Sequence, residues 1–204
     1  DGEESSSSTG EAGESTVITG TPEITLSATN FTYKFAVKKV KVGKKKKKMA
    51  VATVQVPSVS SVTLNGKKLT AADYDVSFQN AESSALGKYT VTVTLKGKYS
   101  GTGTASYSIN PKPAKISKVT KGKKKMTVKW KKGAGGAGYQ LQYATKKDFT
   151  GKKTVTVAKT ATTSKVIKSL KSGKTYYVRI RTCKTVSKQN YYSGWSKVKT
   201  VKVT

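Results

Sequence analysis

Val128-Lys129-Trp130-Lys131 and Val178-Arg179-Ile180-Arg181 alternate strictly between apolar and basic residues. Successive side chains of a β-strand point to opposite faces of its sheet, so this alternation assigns one face to a core and the other to water. In both segments the residues assigned to water are cationic. Residues 114–204, which contain both segments, therefore predict a β-sandwich with a strongly positive outer surface.

Residues 24–110 show shorter runs of the same kind. Tyr74–Phe78 and Tyr89–Leu95 alternate cleanly, and Met49–Val56 is a β-branched run that predicts a longer strand. Asn65-Gly66 is a strong turn signal between two apolar runs. Apart from one possible turn at residues 70–73, no helical period is convincing here. Short strands separated by turn signals indicate a second all-β sandwich.

These patterns divide the chain into four parts. Residues 1–23 contain six acids and no base among many Ser, Gly and Thr residues, so we expect a flexible acidic leader. Residues 24–110 are the first sandwich, residues 111–113 a proline linker, and residues 114–204 the second sandwich. The predicted fold class is all-β, with two consecutive β-sandwich domains. In the second sandwich we predict strands at 115–120, 124–131, 138–145, 152–159, 163–168, 175–184 and 195–203, the last with a bulge between Val198 and Val201.

The net charge of +30 is unevenly distributed. Residues 24–204 hold 40 basic residues against four acids, a balance of +36, and only Arg179 and Arg181 are arginines. Lysine is a hydrated point charge, whereas arginine reads phosphates and guanine edges with two parallel hydrogen bonds. The composition therefore favours attraction to polyanions without specific recognition of nucleic acid.

The residue types that carry most enzyme chemistry are scarce. The chain has no histidine and one cysteine, Cys183, which excludes an intrachain disulfide and a zinc site of ordinary composition. No histidine can activate Cys183, so we expect an inert strand residue. No run of about 20 apolar residues predicts a membrane span. We expect no cofactor, no metal and no enzymatic activity.

Asp73 and Asp75 are the only close pair of acids in residues 24–204. On one strand they would share a face about 7 Å apart. Paired carboxylates can perform glycosidic chemistry or, with further oxygen ligands, bind calcium. No third acid is near and lysines surround the pair. We therefore expect Asp73 and Asp75 to be structural.

Two lysine clusters are the candidate polyanion-binding residues. We expect the first to occupy an exposed loop, because adjacent ammonium groups repel one another. The alternative is a solvated hairpin tip that discourages aggregation between strand edges. The candidates are Lys44, Lys45, Lys46, Lys47, Lys48, Lys123, Lys124 and Lys125.

Arg179, Arg181 and Trp195 are a candidate cation–π stack. The two arginines should point outward from one strand, and Trp195 could lie across them. We expect this stack to be structural. The alternative is a ligand platform for sugar stacking, which Tyr177, Tyr191 and Tyr192 would extend.

The second sandwich resembles a fibronectin type III domain. Trp130 corresponds to the core tryptophan of that family, and Gly138–Tyr143, including Tyr139, is similar to its third strand. Leu170–Tyr176 looks like the L-x-P-G-T-x-Y corner, with Ser172 where proline is usual. The resemblance implies that Trp130, Tyr139, Leu170 and Tyr176 are structural core residues and that the Tyr176 hydroxyl bonds back to the chain. Tyr192–Ser196 is similar to the tryptophan-serine repeat of some such domains.

The first sandwich resembles a bacterial immunoglobulin-like repeat. The matching segments are Asp73–Asn80, Gly87–Val93 and Gly97–Thr102, whereas the insert Lys44–Lys48 departs from the pattern. Pairs of this kind are similar to parts of surface proteins of Gram-positive anaerobes. The resemblance implies adhesion, wall association or spacing by an extracellular or cell-surface protein. No signal peptide is visible, and an exported form would have lost its leader.

The sequence thus predicts a non-enzymatic, monomeric surface or secreted protein. Its expected partner is an anionic wall polymer or acidic polysaccharide, held by lysines. One alternative is a carbohydrate-binding accessory module of a secreted glycosidase, based on the aromatic residues. A weaker one is a nucleic-acid binder, which the shortage of arginine disfavours.

Overall fold

A computed structural model describes residues 16–204 of the chain, and it confirms the all-β class with two sandwiches. The described residues contain one short 3₁₀ helix, Ala71–Asp73. The strands of the first sandwich are β1 (Ile18–Thr19), β2 (Glu23–Leu26), β3 (Asn30–Thr32), β4 (Phe35–Val42), β5 (Lys45–Ala52), β6 (Val59–Leu64), β7 (Lys67–Lys68), β8 (Tyr74–Phe78), β9 (Gly87–Leu95), β10 (Tyr99–Ser100) and β11 (Thr102–Asn110). Those of the second are β12 (Lys115–Gly122), β13 (Lys125–Lys131), β14 (Gly138–Ala144), β15 (Lys153–Val157), β16 (Ser164–Ile167), β17 (Thr175–Val186), β18 (Gln189–Tyr192) and β19 (Lys199–Lys202).

The first sandwich packs the sheet β2-β6-β7 against the sheet β3-β11-β9-β8. Apolar residues alternate along the central strands, so Val62 of β6 and Val91 and Val93 of β9 are fully buried between the sheets. Tyr107 of β11 is also buried, with its ring stacked 5.4 Å from that of Tyr89. The period-2 pattern thus supplies the core of this unit.

Two local predictions for the first sandwich are confirmed. Asn65-Gly66 forms the turn between β6 and β7, with φ of 50° and 77° at the two residues. The predicted turn at residues 70–73 is the 3₁₀ helix, where the Asp73 carboxylate accepts hydrogen bonds from the backbone N–H and the hydroxyl of Thr70. Local turn chemistry therefore decides both positions.

The prediction of a loop at Lys44–Lys48 is wrong, because Lys45–Lys48 begin β5. Strands β4 and β5 pair in an antiparallel, two-stranded sheet that no third strand joins within residues 16–204. Gly43, with φ of 62°, and Lys44 form the turn between them. The predicted strand Met49–Val56 ends at Ala52. Successive lysines of β5 point to alternate faces, so neighbouring charges within the run are separated.

Strand structure is present within the last part of the predicted leader. Ile18–Thr19 pairs in parallel with Tyr99–Ser100, and Glu23 begins β2. These pairings are made by backbone N–H and C=O groups, which every residue type except proline carries. The acidic and polar composition of the predicted leader therefore does not indicate them. Residues 1–15 of that leader lie outside the described residues.

The second sandwich packs the sheet β12-β13-β16 against a five-stranded sheet in which β15-β14-β17-β18 follow in order and β19 also pairs with β17. The alternating segments Val128–Lys131 and Val178–Arg181 lie on the central strands β13 and β17, and their apolar residues point into one core. That core contains Ile116, Met126, Val128, Trp130, Tyr139, Leu141, Tyr143, Val157, Ile167, Leu170, Tyr176, Val178, Ile180 and Val203.

The predicted strand 195–203 is too long, because β19 contains only Lys199–Lys202. The bulge predicted between Val198 and Val201 is also wrong, because the pairing of β19 with β17 continues without a register shift. In the segment before β19, two serine side chains bond to the edge of β17. The Ser193 hydroxyl accepts from the Thr182 N–H, and the Ser196 hydroxyl accepts from the Ile180 N–H. Because side chains satisfy these backbone groups, the segment needs no strand. Strand β18 was not predicted, since its turn residues, Ser187 and Lys188, are not usual at positive φ.

Candidate functional site

The first lysine cluster lies on the β4–β5 hairpin and its turn. Lys44, Lys45, Lys46, Lys47 and Lys48 are all exposed, as are Lys38, Lys39 and Lys41 of β4. Lys39 lies opposite Lys48, and Lys41 lies opposite Lys46. Opposed like charges in water repel by about 1 kcal/mol at 4 Å, and salt screens this repulsion. The hairpin is therefore a concentrated positive surface that a polyanion would neutralise.

The second lysine cluster lies at the turn between β12 and β13. Lys123, Lys124 and Lys125 are exposed. The backbone N–H of Lys124, which has φ of 50°, donates to the Thr204 carbonyl at 2.6 Å. The turn is thus held in place while its side chains remain free to contact solvent.

The two lysine clusters lie on different β-hairpins, the first between β4 and β5 and the second between β12 and β13.

Arg179, Arg181 and Trp195 lie together in a ladder of alternating rings and guanidinium groups. The guanidinium carbons of Arg179 and Arg181 each lie 4.4 Å from the Trp195 ring centroid. Side chains two residues apart on a strand are about 7 Å apart, so a ring close to both lies between them. Phe149, 4.0 Å from Arg179, and Tyr192, 3.7 Å from Arg181, complete the ladder.

Two glutamines of the neighbouring strand β14 orient the arginines. Arg179 donates from Nε and Nη2 to Gln142 Oε1, at 3.0 and 2.7 Å, and Arg181 donates to Gln140 Oε1 at 2.9 and 2.6 Å. Burial lowers the pKa of both arginines from the usual value. The ladder thus joins β14, β17 and the segment after β18.

Sequence reasoning missed Phe149, Gln140 and Gln142 as members of the ladder. Gln140 lies opposite Arg181 and Gln142 opposite Arg179 in the strand register, so a correct alignment of the two strands would have identified both glutamines. Phe149 gives no such signal, because it lies in a loop with φ of 63°.

The candidate sugar platform is not assembled as one exposed surface. Arg179 and Arg181 flank the Trp195 ring, and Tyr192 stacks on Arg181. The Tyr191 hydroxyl accepts a hydrogen bond from the Lys88 N–H of the first sandwich, at 3.0 Å. An aromatic platform for sugars needs a free ring face, and the guanidinium groups occupy those of Trp195.

The four predicted core residues lie inside the second sandwich. Trp130 and Tyr139 are buried, with ring centroids 5.4 Å apart in an edge-to-face arrangement. Leu170 and Tyr176 are buried at the far end, where the Tyr176 hydroxyl accepts a hydrogen bond from the Lys171 N–H at 2.9 Å. This bond fixes the corner that leads into β17.

Asp73 and Asp75 do not form a carboxylate pair on one strand. Asp73 ends the 3₁₀ helix and bonds to Thr70, which lowers its carboxyl pKa. Asp75 instead forms a salt bridge with Lys96, at 2.6 Å. Cys183 lies on β17, where burial raises the pKa of its thiol. Asp73 and Asp75 are therefore held by different local partners.

Lysines, aromatic residues and other apolar or neutral polar residues line four surface concavities, and neither Asp nor Glu lines any of these four. Across residues 16–204, His, Cys, Asp and Glu side chains form no group of three that could hold a metal ion. In the same part of the chain, no helix has the length and apolar character needed to cross a membrane.

We predict that Trp195→Ala destabilises the second sandwich by about 1–3 kcal/mol, because it removes two cation–π contacts and the apolar area between them. Urea unfolding monitored by Trp130 fluorescence measures the loss, since Trp130 is then the only tryptophan in the chain. Lys197→Ala, at an exposed neighbouring position, is the control and should change stability by less than about 0.5 kcal/mol. Equal stability of the two variants would contradict a structural role for the ladder.

Comparison with known proteins finds a family match that covers most of the second sandwich. No curated protein matches the chain. Similar solved structures include one described as "Myokine structure" (18% identity, TM-score 0.36, covering 46% of this chain and 96% of that one). The FN1–FN3 domains of chicken CNTN1 are 20% identical, with a TM-score of 0.40, and the match covers 60% of this chain and 44% of that one. A computationally redesigned β-sandwich protein is 22% identical, with a TM-score of 0.34, and the match covers 46% of this chain and 92% of that one. The model of the fibronectin type III domain family matches residues 110–199.

Proposed function

We propose that this protein is a non-enzymatic surface or secreted protein that adheres to anionic cell-wall polymer through its lysines. The two sandwiches act as a stalk or adhesive arm, and the protein is a monomer. Fibronectin type III domains are typical structural or adhesive modules of extracellular proteins, which supports this class of function.

The β4–β5 hairpin is the observation that carries the proposal. Residues 35–52 contain eight lysines and no acid. The hairpin forms its own two-stranded sheet, and the lysines on it are exposed. A lysine-rich ribbon with no acidic partner in its own strands contributes little to a core, so its charge is available for a ligand.

The absence of catalysis in the proposal rests on the family and the chemistry. A fibronectin type III domain is typically a non-catalytic module, and no catalytic family is indicated. General acid–base chemistry without histidine requires a tuned carboxylate or lysine. Asp73 and Asp75 are each engaged with a local partner, which favours a structural role for both.

Retention on purified Gram-positive cell wall tests the proposal. We expect strong retention at about 50 mM salt and release by about 200 mM, because a protein that makes about six phosphate contacts loses on the order of 10³ in affinity over that range. Cellulose, a neutral polymer, is the control and should retain nothing at either salt concentration. Equal retention on cell wall at both concentrations would reject the electrostatic mechanism.

Removal of the anionic polymer from the same wall identifies the ligand class. Wall extracted to remove its phosphate-rich polymers should lose most of its capacity for the protein at low salt. Unchanged capacity would point to the neutral glycan, as expected of an accessory module of a glycosidase. The stacking of Trp195 between two arginines gives that alternative less support.

A further inference from the structure

We infer that one face of the β4–β5 hairpin, formed by Lys39, Lys41, Lys46 and Lys48, is the contact surface for an extended polyanion. This inference rests on the proposed function and assigns its ligand contact to specific residues. This face differs from the first lysine cluster predicted from the sequence, because it includes Lys39 and Lys41 and excludes Lys44, Lys45 and Lys47.

The strand register divides the lysine run between two faces. Residues directly opposite each other in an antiparallel pair project to the same side of the sheet, and successive residues project to opposite sides. Lys39 pairs with Lys48, and Lys41 pairs with Lys46. These two pairs are two residues apart along each strand, so all four lysines share one face.

The opposite face has a different composition. Its pairs are Lys38 with Met49, Val40 with Lys47, and Val42 with Lys45. Each lysine on this face is therefore opposite an apolar residue. The hairpin thus presents a compact block of four lysines on one side and a mixture of lysine and apolar side chains on the other.

The spacing of the four lysines suits a linear ligand. Opposed Cβ atoms are about 5 Å apart, and residues two apart along a strand are about 7 Å apart. The Cβ atoms of the four lysines therefore form a two-by-two array near the hairpin tip. A chain with repeating negative groups can engage all four at once, whereas a single small anion cannot. Because lysine is a point charge, the array selects charge density over anion geometry.

The hairpin also gives polyanion binding a structural readout. Opposed lysines destabilise strand pairing, and an isolated two-stranded hairpin is marginally stable. A polyanion on the lysine face would reduce this repulsion and strengthen the pairing. Backbone amides of residues 38–48 should then exchange hydrogen more slowly with ligand than without it.

Two quadruple variants with equal charge test the inference. One is Lys39→Gln, Lys41→Gln, Lys46→Gln and Lys48→Gln, and its control is Lys38→Gln, Lys44→Gln, Lys45→Gln and Lys47→Gln. The probe is fluorescently labelled long-chain inorganic polyphosphate, with affinity measured by anisotropy across a salt series. We expect the first variant to lose at least about tenfold in affinity at low salt and its log-log salt slope to fall by about 3–4. The control should lose less than about threefold.

The outcomes separate this inference from the proposed function. Equal losses in both variants would overturn the assignment to one face but leave charge-based binding standing. Full affinity in both would also overturn it, by moving the contact off the hairpin. A wild-type protein that does not bind polyphosphate would contradict the proposed function itself.

Hydrogen exchange on the wild-type protein keeps the test independent of folding in the variants. Unchanged exchange in residues 38–48 at saturating polyphosphate would overturn the inference, whereas slowed exchange confined to the hairpin would support it. Vesicles of phosphatidylserine are a second probe. Tighter binding to the vesicles than to polyphosphate, at equal anion concentration, would reject a linear polymer as the ligand.

Discussion

Trp130→Ala should lower the free energy of unfolding of the second sandwich by about 3–5 kcal/mol. Trp130 is only 3% exposed and lies on the central strand β13, so the substitution leaves a cavity that the surrounding sheets cannot close. It also removes the edge-to-face contact with Tyr139. Most single domains are stable by about 5–15 kcal/mol, so the variant should be near its limit of stability.

Urea unfolding followed by Trp195 fluorescence measures the effect of Trp130→Ala, since Trp195 reports on the same sandwich. Val166→Ala is the control, because Val166 lies on β16 of the same sheet and is 44% exposed. The control should cost less than about 1 kcal/mol. A similar loss in both variants would mean that Trp130 is not the centre of the core.

Gly101→Ala should destabilise the first sandwich by about 3 kcal/mol. A Cβ atom at this position would lie 1.8 Å from the Gly20 carbonyl oxygen, a backbone atom that cannot rotate away. The residue also has φ of 140°, a conformation that L-residues rarely adopt. To relieve the clash, the segment containing β1 must move away from β10.

Hydrogen exchange of the β9 and β11 amides measures the stability of the first sandwich in Gly101→Ala, because both tryptophans lie in the second. Gly97→Ala is a matched control. Gly97 also has a positive φ, 68°, but nothing lies within 4 Å of the added Cβ. It should cost about 1 kcal/mol from the backbone conformation alone. Equal costs at the two glycines would show that the contact with Gly20 is not restrictive.

The elements predicted best are those whose information is local. Val178–Arg181 alternates with period 2, and this pattern alone predicts a strand with one buried face. Asn65-Gly66 specifies its turn because both residues tolerate positive φ. The corner at Leu170–Tyr176 was predicted through its resemblance to a family motif, and the Tyr176 hydroxyl bonds back to Lys171.

The elements predicted least well depend on partners distant in sequence. Lys45–Lys48 has poor intrinsic strand character, yet it forms a strand because Lys39–Val42 pairs with it. The segment before β19 has strand-like residues but does not form a strand with β17, because the side chains of Ser193 and Ser196 accept hydrogen bonds from the β17 backbone.

The sequence by itself determined the all-β class, the positive surface and the buried residues of β13 and β17. Alternation of apolar and charged side chains and an excess of lysine can both be recognised from neighbouring residues, without knowledge of distant contacts. Tertiary structure alone decided which lysines share a face and which rings stack on Arg179 and Arg181. Those arrangements depend on strand register and on contacts across the chain, such as Lys39 with Lys48 and Arg179 with Phe149. A one-residue shift in register would exchange the two faces of the hairpin, and composition is unchanged by such a shift.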